Sequence, residues 1–210
     1  MIEQGTSAWH AQRLGKLTAS RLADALAKTK SGWGASRANY MAQLVAERLT
    51  GVPGDSYTNA AMQWGTDTEP QARAAYEWHT DVTVEPSGFI DHPVIEMTGA
   101  SPDGLVGADG LVEIKCPNTA THIDTLLGSP MPAKYVLQMQ WQMACTGRRQ
   151  WCDWVSFDPR MPENMRLFVK RVTRDDVQIA SLERDVVEFL GELDRKMDDL
   201  TRLYPFWKAA

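Results

Sequence analysis

Residues 99 to 118 read Gly-Ala-Ser-Pro-Asp-Gly-Leu-Val-Gly-Ala-Asp-Gly-Leu-Val-Glu-Ile-Lys-Cys-Pro-Asn. Asp103 ends a short extended run, and Gly104 with the stretch from Gly107 to Gly110 makes a hairpin turn. Leu111-Val112-Glu113-Ile114-Lys115 then alternates. Successive side chains of a strand point to opposite faces, so Glu113 and Lys115 share one face while Val112 and Ile114 point into a core. The hairpin brings Asp103 back beside Glu113, which puts two carboxylates and one ammonium on one face of a sheet. Carboxylate oxygens suit a hard divalent cation such as Mg2+. A lysine beside them can steady a water nucleophile or the charge that develops on a phosphate.

The pattern is short, and alternating Glu and Lys also describes a solvated strand face. Its surroundings favour a site. Ser101-Pro102 before the acid and Cys116-Pro117 after the lysine pin the strand ends. Pro117 stops the second strand just past Lys115, and catalytic groups commonly sit at strand ends.

Working outward, 210 residues suffice for one domain with a full core. The balance of 43% hydrophobic and 23% charged residues is that of a globular protein. No apolar run approaches a membrane span, and the N-terminus lacks the basic-then-apolar order of a signal peptide. Cys116, Cys145 and Cys152 form no Cys-x-x-Cys pair, so free thiols in a reducing cytosol are expected. The four histidines lack zinc spacing. A net charge of -5 excludes a protein that coats nucleic acid by bulk charge. Any DNA contact is therefore expected on one face or in one channel.

In chain order, Thr6 or Ser7 caps a helix closed by Gly15, and Thr18 caps a second with Leu22, Ala25 and Leu26 on one face. Arg13, Lys16, Ser20 and Arg21 surround the joint, a setting able to hold a phosphate or simply to form a solvated corner. Residues 28–34 read as a flexible basic loop with one aromatic. Ser36 opens a helix whose apolar stripe is core and which Gly51 stops. Residues 52–58 are a turn-rich link, and 59–80 are helical despite Pro70. Short strands are expected at 82–85, 88–91 and 94–97. Helices follow at 119–127 and from Pro132 to Gly147, then strands at 150–157 and 166–172. A long near-heptad helix begins at Asp175 and an aromatic end spans 204–207. The sum is an α/β fold: a central mixed β-sheet flanked by helices, with all of residues 1–210 in a single domain and the site at strand ends.

Ser101-Pro102-Asp103-Gly104-Leu105 followed by Glu113-Ile114-Lys115-Cys116-Pro117 resembles the signature of the phage lambda-type exonuclease (YqaJ viral recombinase) family, part of the PD-(D/E)XK nuclease superfamily with its restriction-endonuclease-like core. Further similarity runs along most of the chain: Trp9-His10 to Arg13-Leu14-Gly15, Thr18-Ala19-Ser20, Trp64-Gly65 with Glu69, Gln138-Met139-Gln140, and Asp158-Pro159-Arg160-Met161. The resemblance implies a Mg2+-dependent 5'-to-3' exonuclease on double-stranded DNA ends, with Mn2+ able to substitute. It would release mononucleotides and leave a 3'-ended single strand for recombination by annealing. Asp103, Glu113 and the carbonyl of Ile114 would hold two metals, Lys115 would orient and activate the attacking water, and Glu69 would bind metal-linked water. Arg13, Ser20, Ser101 and Gln140 would form the 5'-phosphate pocket, with Gln138 nearby. Lys30 would touch the duplex backbone and Met62 would wedge into the opening duplex. The resemblance also implies a ring-shaped homotrimer working with a single-strand annealing protein in the cytoplasm of a bacterial host. Ala60 departs from the family at a position expected to be basic.

Rival readings are a structure-specific or restriction-type endonuclease, separable on circular duplex, and a non-catalytic module that binds DNA ends. The intact acid–acid–lysine set speaks against the second. An unrelated cytosolic α/β protein would leave the ordered motif matches unexplained.

Overall fold

The computed structural model describes residues 2–30, 32–54 and 60–205. Residues 55–58 of the expected link, Asn59 at the expected start of its helix, and Phe206 and Trp207 lie outside them. The chain opens with α1 (Ser7–Arg13), where the Thr6 hydroxyl accepts the Trp9 N–H. Gly15 turns the chain with φ +67°, a backbone state that favours glycine. Next come β1 (Leu17–Thr18), a 3-10 turn at Ala19–Arg21 and α2 (Leu22–Ala25). Thr18 stands at the N-cap position of the 3-10 turn, but its side chain makes no capping hydrogen bond. It pairs with Gly99 in a parallel ladder beside fully buried Leu17, so sheet pairing overrides the local capping preference. The expected loop at 28–34 is a small hairpin of β2 (Lys28–Thr29) and β3 (Gly32–Trp33).

Helix α3 (Ala35–Thr50) starts one residue before the expected Ser36 and ends at Gly51, φ +68°. Helix α4 (Ala60–Thr80) accommodates Pro70. Strands β4 (Val84–Glu85), β5 (Ile90–Asp91), β6 (Thr98–Ala100), β7 (Gly104–Val106) and β8 (Gly110–Lys115) follow. The strand expected at 94–97 is a turn. Its N–H groups at Val94 and Ile95 donate to Nδ1 of His92, and Met97 adopts φ +59°. The remainder is α5 (Thr119–Leu126), α6 (Ala133–Cys145), β9 (Trp151–Phe157), a 3-10 turn at Glu163–Met165, β10 (Leu167–Thr173) and α7 (Asp176–Leu203).

The main sheet has the order β10-β9-β8-β7-β4 and is mixed, as expected: β8 and β9 run parallel, the other neighbours antiparallel. Parallel pairing demands a crossover, which α5 and α6 supply. Alternation sorts the central strands by layer. Val112, Ile114, Val155 and Phe157 pack on Ala72 and Tyr76 of α4. Leu111, Cys152 and Trp154 face the other way, into a core built with Met139, Trp141 and Met143 of α6 and the α7 stripe Ile179, Leu182, Val186, Phe189 and Leu193. With both faces covered, the sheet leaves no solvated side for Glu113. Among the described residues no helix is long and apolar enough to cross a membrane.

A separate three-stranded sheet, β1-β6-β5, carries the chain into Ser101 and Asp103. Gly99 of β6 is packed so closely that a Cβ there would meet the Ile90 carbonyl oxygen at 2.5 Å and the Phe89 ring at 2.5 Å. Gly99→Ala is expected to cost about 1–3 kcal/mol through backbone displacement. Equilibrium denaturation reads this directly, and a midpoint equal to the parent's would contradict the packing described.

Candidate active site

Asp103 lies between β6 and β7. The register Gly104↔Val112, extended by one residue, sets it opposite Glu113. Its Oδ2 accepts the Ile114 N–H at 2.6 Å. The expected hairpin return of the acid is therefore present, although Asp103 precedes the paired strand rather than ending the one before it.

Glu113 is 1% exposed, and its carboxylate is met by three donors. Lys115 Nζ and Gln138 Nε2 donate to Oε1, the latter at 2.7 Å, and Gln142 Nε2 donates to Oε2. Gln138 and Gln142 stand one turn apart on α6, so the same helix face presents both amides. Cys152 Sγ on β9 lies 3.8 Å from the Gln142 carbonyl oxygen as donor. Burial, with Glu113 and Asp103 nearby, pushes the Cys152 thiol well up, so it stays protonated.

The fields of these groups are opposed. Burial raises the proton affinity of Asp103 well above the ordinary carboxylate range, and Glu113 and Glu69 raise it further. Lys115 and the Ile114 N–H only partly offset this. Burial alone would lower the Lys115 pKa, but the combined pull of Glu113 and Asp103 and the hydrogen bond to Glu113 raise it, so the ammonium keeps its proton. Glu69 comes from α4, on the other side of the sheet. It pairs with Arg73 at 2.8 Å, and its charge is felt at Asp103 and at Cys116.

Asp103, Glu113 and the Ile114 carbonyl are the residues that would supply an all-oxygen donor set. Among the described residues no three His, Cys, Asp or Glu groups converge as ligands on one point. The chemistry of the set nevertheless fits a hard divalent cation. Glu113 and Glu69 raise the proton affinity of buried Asp103, and a cation among these oxygens would offset that repulsion.

Two of the expected phosphate ligands are linked by one indole. Trp9 Nε1–H donates to Ser101 Oγ at 3.0 Å, and the Arg13 guanidinium lies 3.8 Å from the centre of the Trp9 ring. Burial lowers the Arg13 pKa from its usual value. Ser20 is exposed, 3.4 Å from Thr18 Oγ1, just past the end of β1 as Ser101 is past the end of its parallel neighbour β6. Gln4 pins the same segment by donating to the Pro102 carbonyl at 2.8 Å. Lys30 is exposed at the tip of the β2–β3 hairpin, and Met62 is 56% exposed in the first turn of α4, so Met62 is not core.

Gln140 is a correction. It is 2% exposed and faces away from Glu113, donating to the Thr173 carbonyl at 2.8 Å and accepting the Asp175 N–H at 3.0 Å. It ties the end of β10 to the start of α7, and Gln138 is the glutamine at the acids. Sequence reasoning missed Gln142 altogether. The signal available was the helical spacing Gln138-x-x-x-Gln142, which shares a face where Gln138-x-Gln140 does not. It also missed the work of Arg160, which holds Asp158 with two hydrogen bonds, donates to the Pro117 carbonyl at 3.4 Å and lies 4.4 Å from the Trp64 ring centre. Arg160 thereby joins the end of β8 to the helix that carries Glu69.

A family model described as a YqaJ-like viral recombinase domain matches residues 8–149. No curated protein matches the chain. Among solved structures, an alkaline exonuclease from Laribacter hongkongensis is 55% identical over 94% of this chain and 97% of its own, with a TM-score of 0.86. A structure of that enzyme in complex with dAMP is equally similar. A phage-related exonuclease from Haemophilus somnus shares the fold, with a TM-score of 0.67 at 16% identity over 88% of this chain and 96% of its own.

The electrostatics carry a stability consequence. Folded Asp103 binds its proton more tightly than the unfolded chain does, so its contribution to stability falls as pH rises from the ordinary carboxylate range through its raised folded value. Asp103→Asn keeps an oxygen for the Ile114 N–H and removes the repulsion. In the metal-free protein near pH 8 it is expected to raise Tm by about 2–4 °C for each kcal/mol relieved. Thermal melts with a chelator present check this, and a lowered Tm would mean that the carboxylate is not held against its preference.

Proposed function

The chain belongs to the YqaJ-like viral recombinase family, and from that premise we propose that it is a Mg2+-dependent exonuclease that degrades one strand of duplex DNA from its 5' end. The observation that carries this is the meeting of Asp103, Glu113, Lys115 and the charge of Glu69 at one strand end, in a chain 55% identical to an alkaline exonuclease. All 210 residues are read as one nuclease domain. The products would be mononucleotides and a 3'-ended single strand, the substrate of a single-strand annealing protein in phage-type recombination within the host cytoplasm.

Asp103, Glu113 and the Ile114 carbonyl would hold the metals, with Glu69 binding through water and Mn2+ able to replace Mg2+. When bound, paired divalent cations stabilise the attacking and leaving oxygens of an in-line displacement. Lys115 stays protonated, so it acts as a hydrogen-bond donor that orients the attacking water and offsets charge on the phosphate, not as the base that takes the proton. Arg13, held flat on Trp9, can grip a terminal phosphate through two N–H groups. Ser101 and Ser20 would add hydroxyls, and Gln138 stands where an amide could shift between Glu113 and the end of the strand. Lys30 would meet the duplex backbone and Met62 would press on the opening base pairs.

The test is digestion of linear, nicked-circular and closed-circular duplex, with and without Mg2+ and, on the first two, a 5'-phosphate. Parent protein is expected to degrade the linear phosphorylated duplex only with metal. Asp103→Asn and Glu113→Gln should abolish cleavage, and Arg13→Ala should chiefly shrink the ratio of phosphorylated to hydroxyl-ended rates. Cutting of closed circles would favour an endonuclease, and an unchanged ratio would remove Arg13 from the pocket.

An acidic chain has little general hold on DNA. Processive digestion is therefore proposed to rest on a closed ring of three subunits around the duplex, joined by heterologous contacts. Light scattering should give three times the 23.5 kDa chain mass. A monomer that digests long duplexes without dissociating would rule the ring out.

A further inference from the structure

We propose that Gln142 is a positioning residue for Glu113, and that Cys152 decides which way round its amide stands. The proposal rests on the reading of Asp103 and Glu113 as metal-holding acids. Gln142 is fully buried on α6, among the apolar side chains Met139, Trp141 and Met143. Packing alone asks for an apolar residue there, because a buried amide is costly unless its hydrogen bonds are met. Both ends of this amide are met. Nε2 donates to Glu113 Oε2, and the carbonyl oxygen faces Cys152 Sγ at 3.8 Å, a fully buried thiol on β9.

An amide could equally be turned over, and the reversed form would set its oxygen against the Glu113 oxygen, acceptor to acceptor, away from water. A thiol hydrogen that can be given to the amide oxygen selects the observed orientation. The result is a neutral donor fixed on Oε2, while Lys115 and Gln138 hold Oε1. Gripped on both oxygens, the Glu113 carboxylate is fixed in plane. Because Gln142 and Gln138 bring no charge, they do so without cancelling the anion that a cation would need. Supporting groups of this kind commonly govern metal affinity by 10–100-fold, so about that range is the scale expected here.

The test uses full-length Gln142→Met, Cys152→Ser and Cys152→Ala, each first shown to fold by circular dichroism. Mn2+ binding is titrated by electron paramagnetic resonance, beside the half-saturating Mg2+ for cleavage and the KM for duplex. Gln142→Met is expected to weaken Mn2+ binding and raise half-saturating Mg2+ by about 10-fold or more, with KM for duplex unchanged and kcat regained at high metal. Cys152→Ser, which keeps a donor, should match the parent, and Cys152→Ala should fall between. If Gln142→Met does not fold, Gln142→Asn takes its place, since it withdraws the amide by one methylene. Mn2+ binding equal to the parent's in the position 142 variant overturns the proposal. Failure of the underlying reading looks different: the parent itself would then show no Mn2+ site that Asp103→Asn removes.

Discussion

A carboxyl group buried in the middle of a sheet is the constraint to which the rest of this structure answers. Taking such a group from water costs several kcal/mol unless hydrogen bonds replace the lost hydration. Glu113 receives them from a lysine two residues on and from two glutamines one helical turn apart. The demand fixes the rotation of α6 about its axis and its position along β8. The apolar residues between the glutamines then fall into the core with α7. Asp103, with a single N–H donor and two acids for neighbours, is left unbalanced. One acid is satisfied, with Lys115 in a salt bridge to Glu113, and the other is left with a surplus of negative charge around it.

The two layers contribute different chemistry. The α6 side gives two neutral donors to the Glu113 carboxylate. The α4 side gives a further acid, Glu69, and is joined to the end of β8 through Arg160, Trp64 and the Pro117 carbonyl. Opposite the carboxylates, Tyr76 of α4 donates to Asp153 at 2.9 Å, and Arg171 completes that buried acid. Charge beneath the sheet is thus largely paired locally, although Asp153 still adds to the raised proton affinity of the Cys152 thiol.

Much of this was legible in the residues. The alternation of 111–115, the glycines before it and the proline after it specified the hairpin, and the long periodic segments specified the larger helices. The structure departs from these expectations where a pairing, distant or close in sequence, overrode the local preference. Thr18 has a good capping side chain but was claimed by β6, and the strand expected at 94–97 was displaced by a histidine that accepts two backbone N–H groups. At the site, the acids and lysine were read from one strand and its turn. The glutamines needed a helical register that only packing sets: positions 138 and 140 lie on opposite faces of α6, and 138 and 142 on the same one. Gln142 carries no motif of its own, since its partners lie on two different strands, one 29 residues before it and one 10 after.

The parallel pairing of β8 with β9 gives the protein a history as well as a shape. Asp103, Glu113 and Lys115 are all made by residue 115, but the amides that steady Glu113 come at 138 and 142, and the strand that flanks β8 runs from Trp151 to Phe157. On the ribosome, the chemical groups therefore exist long before their setting does. A nascent chain holding the acids has no crossover, no α6 and no neighbour for the exposed edge of β8. The setting of Glu113 is therefore complete only once α6 and β9 have both been made.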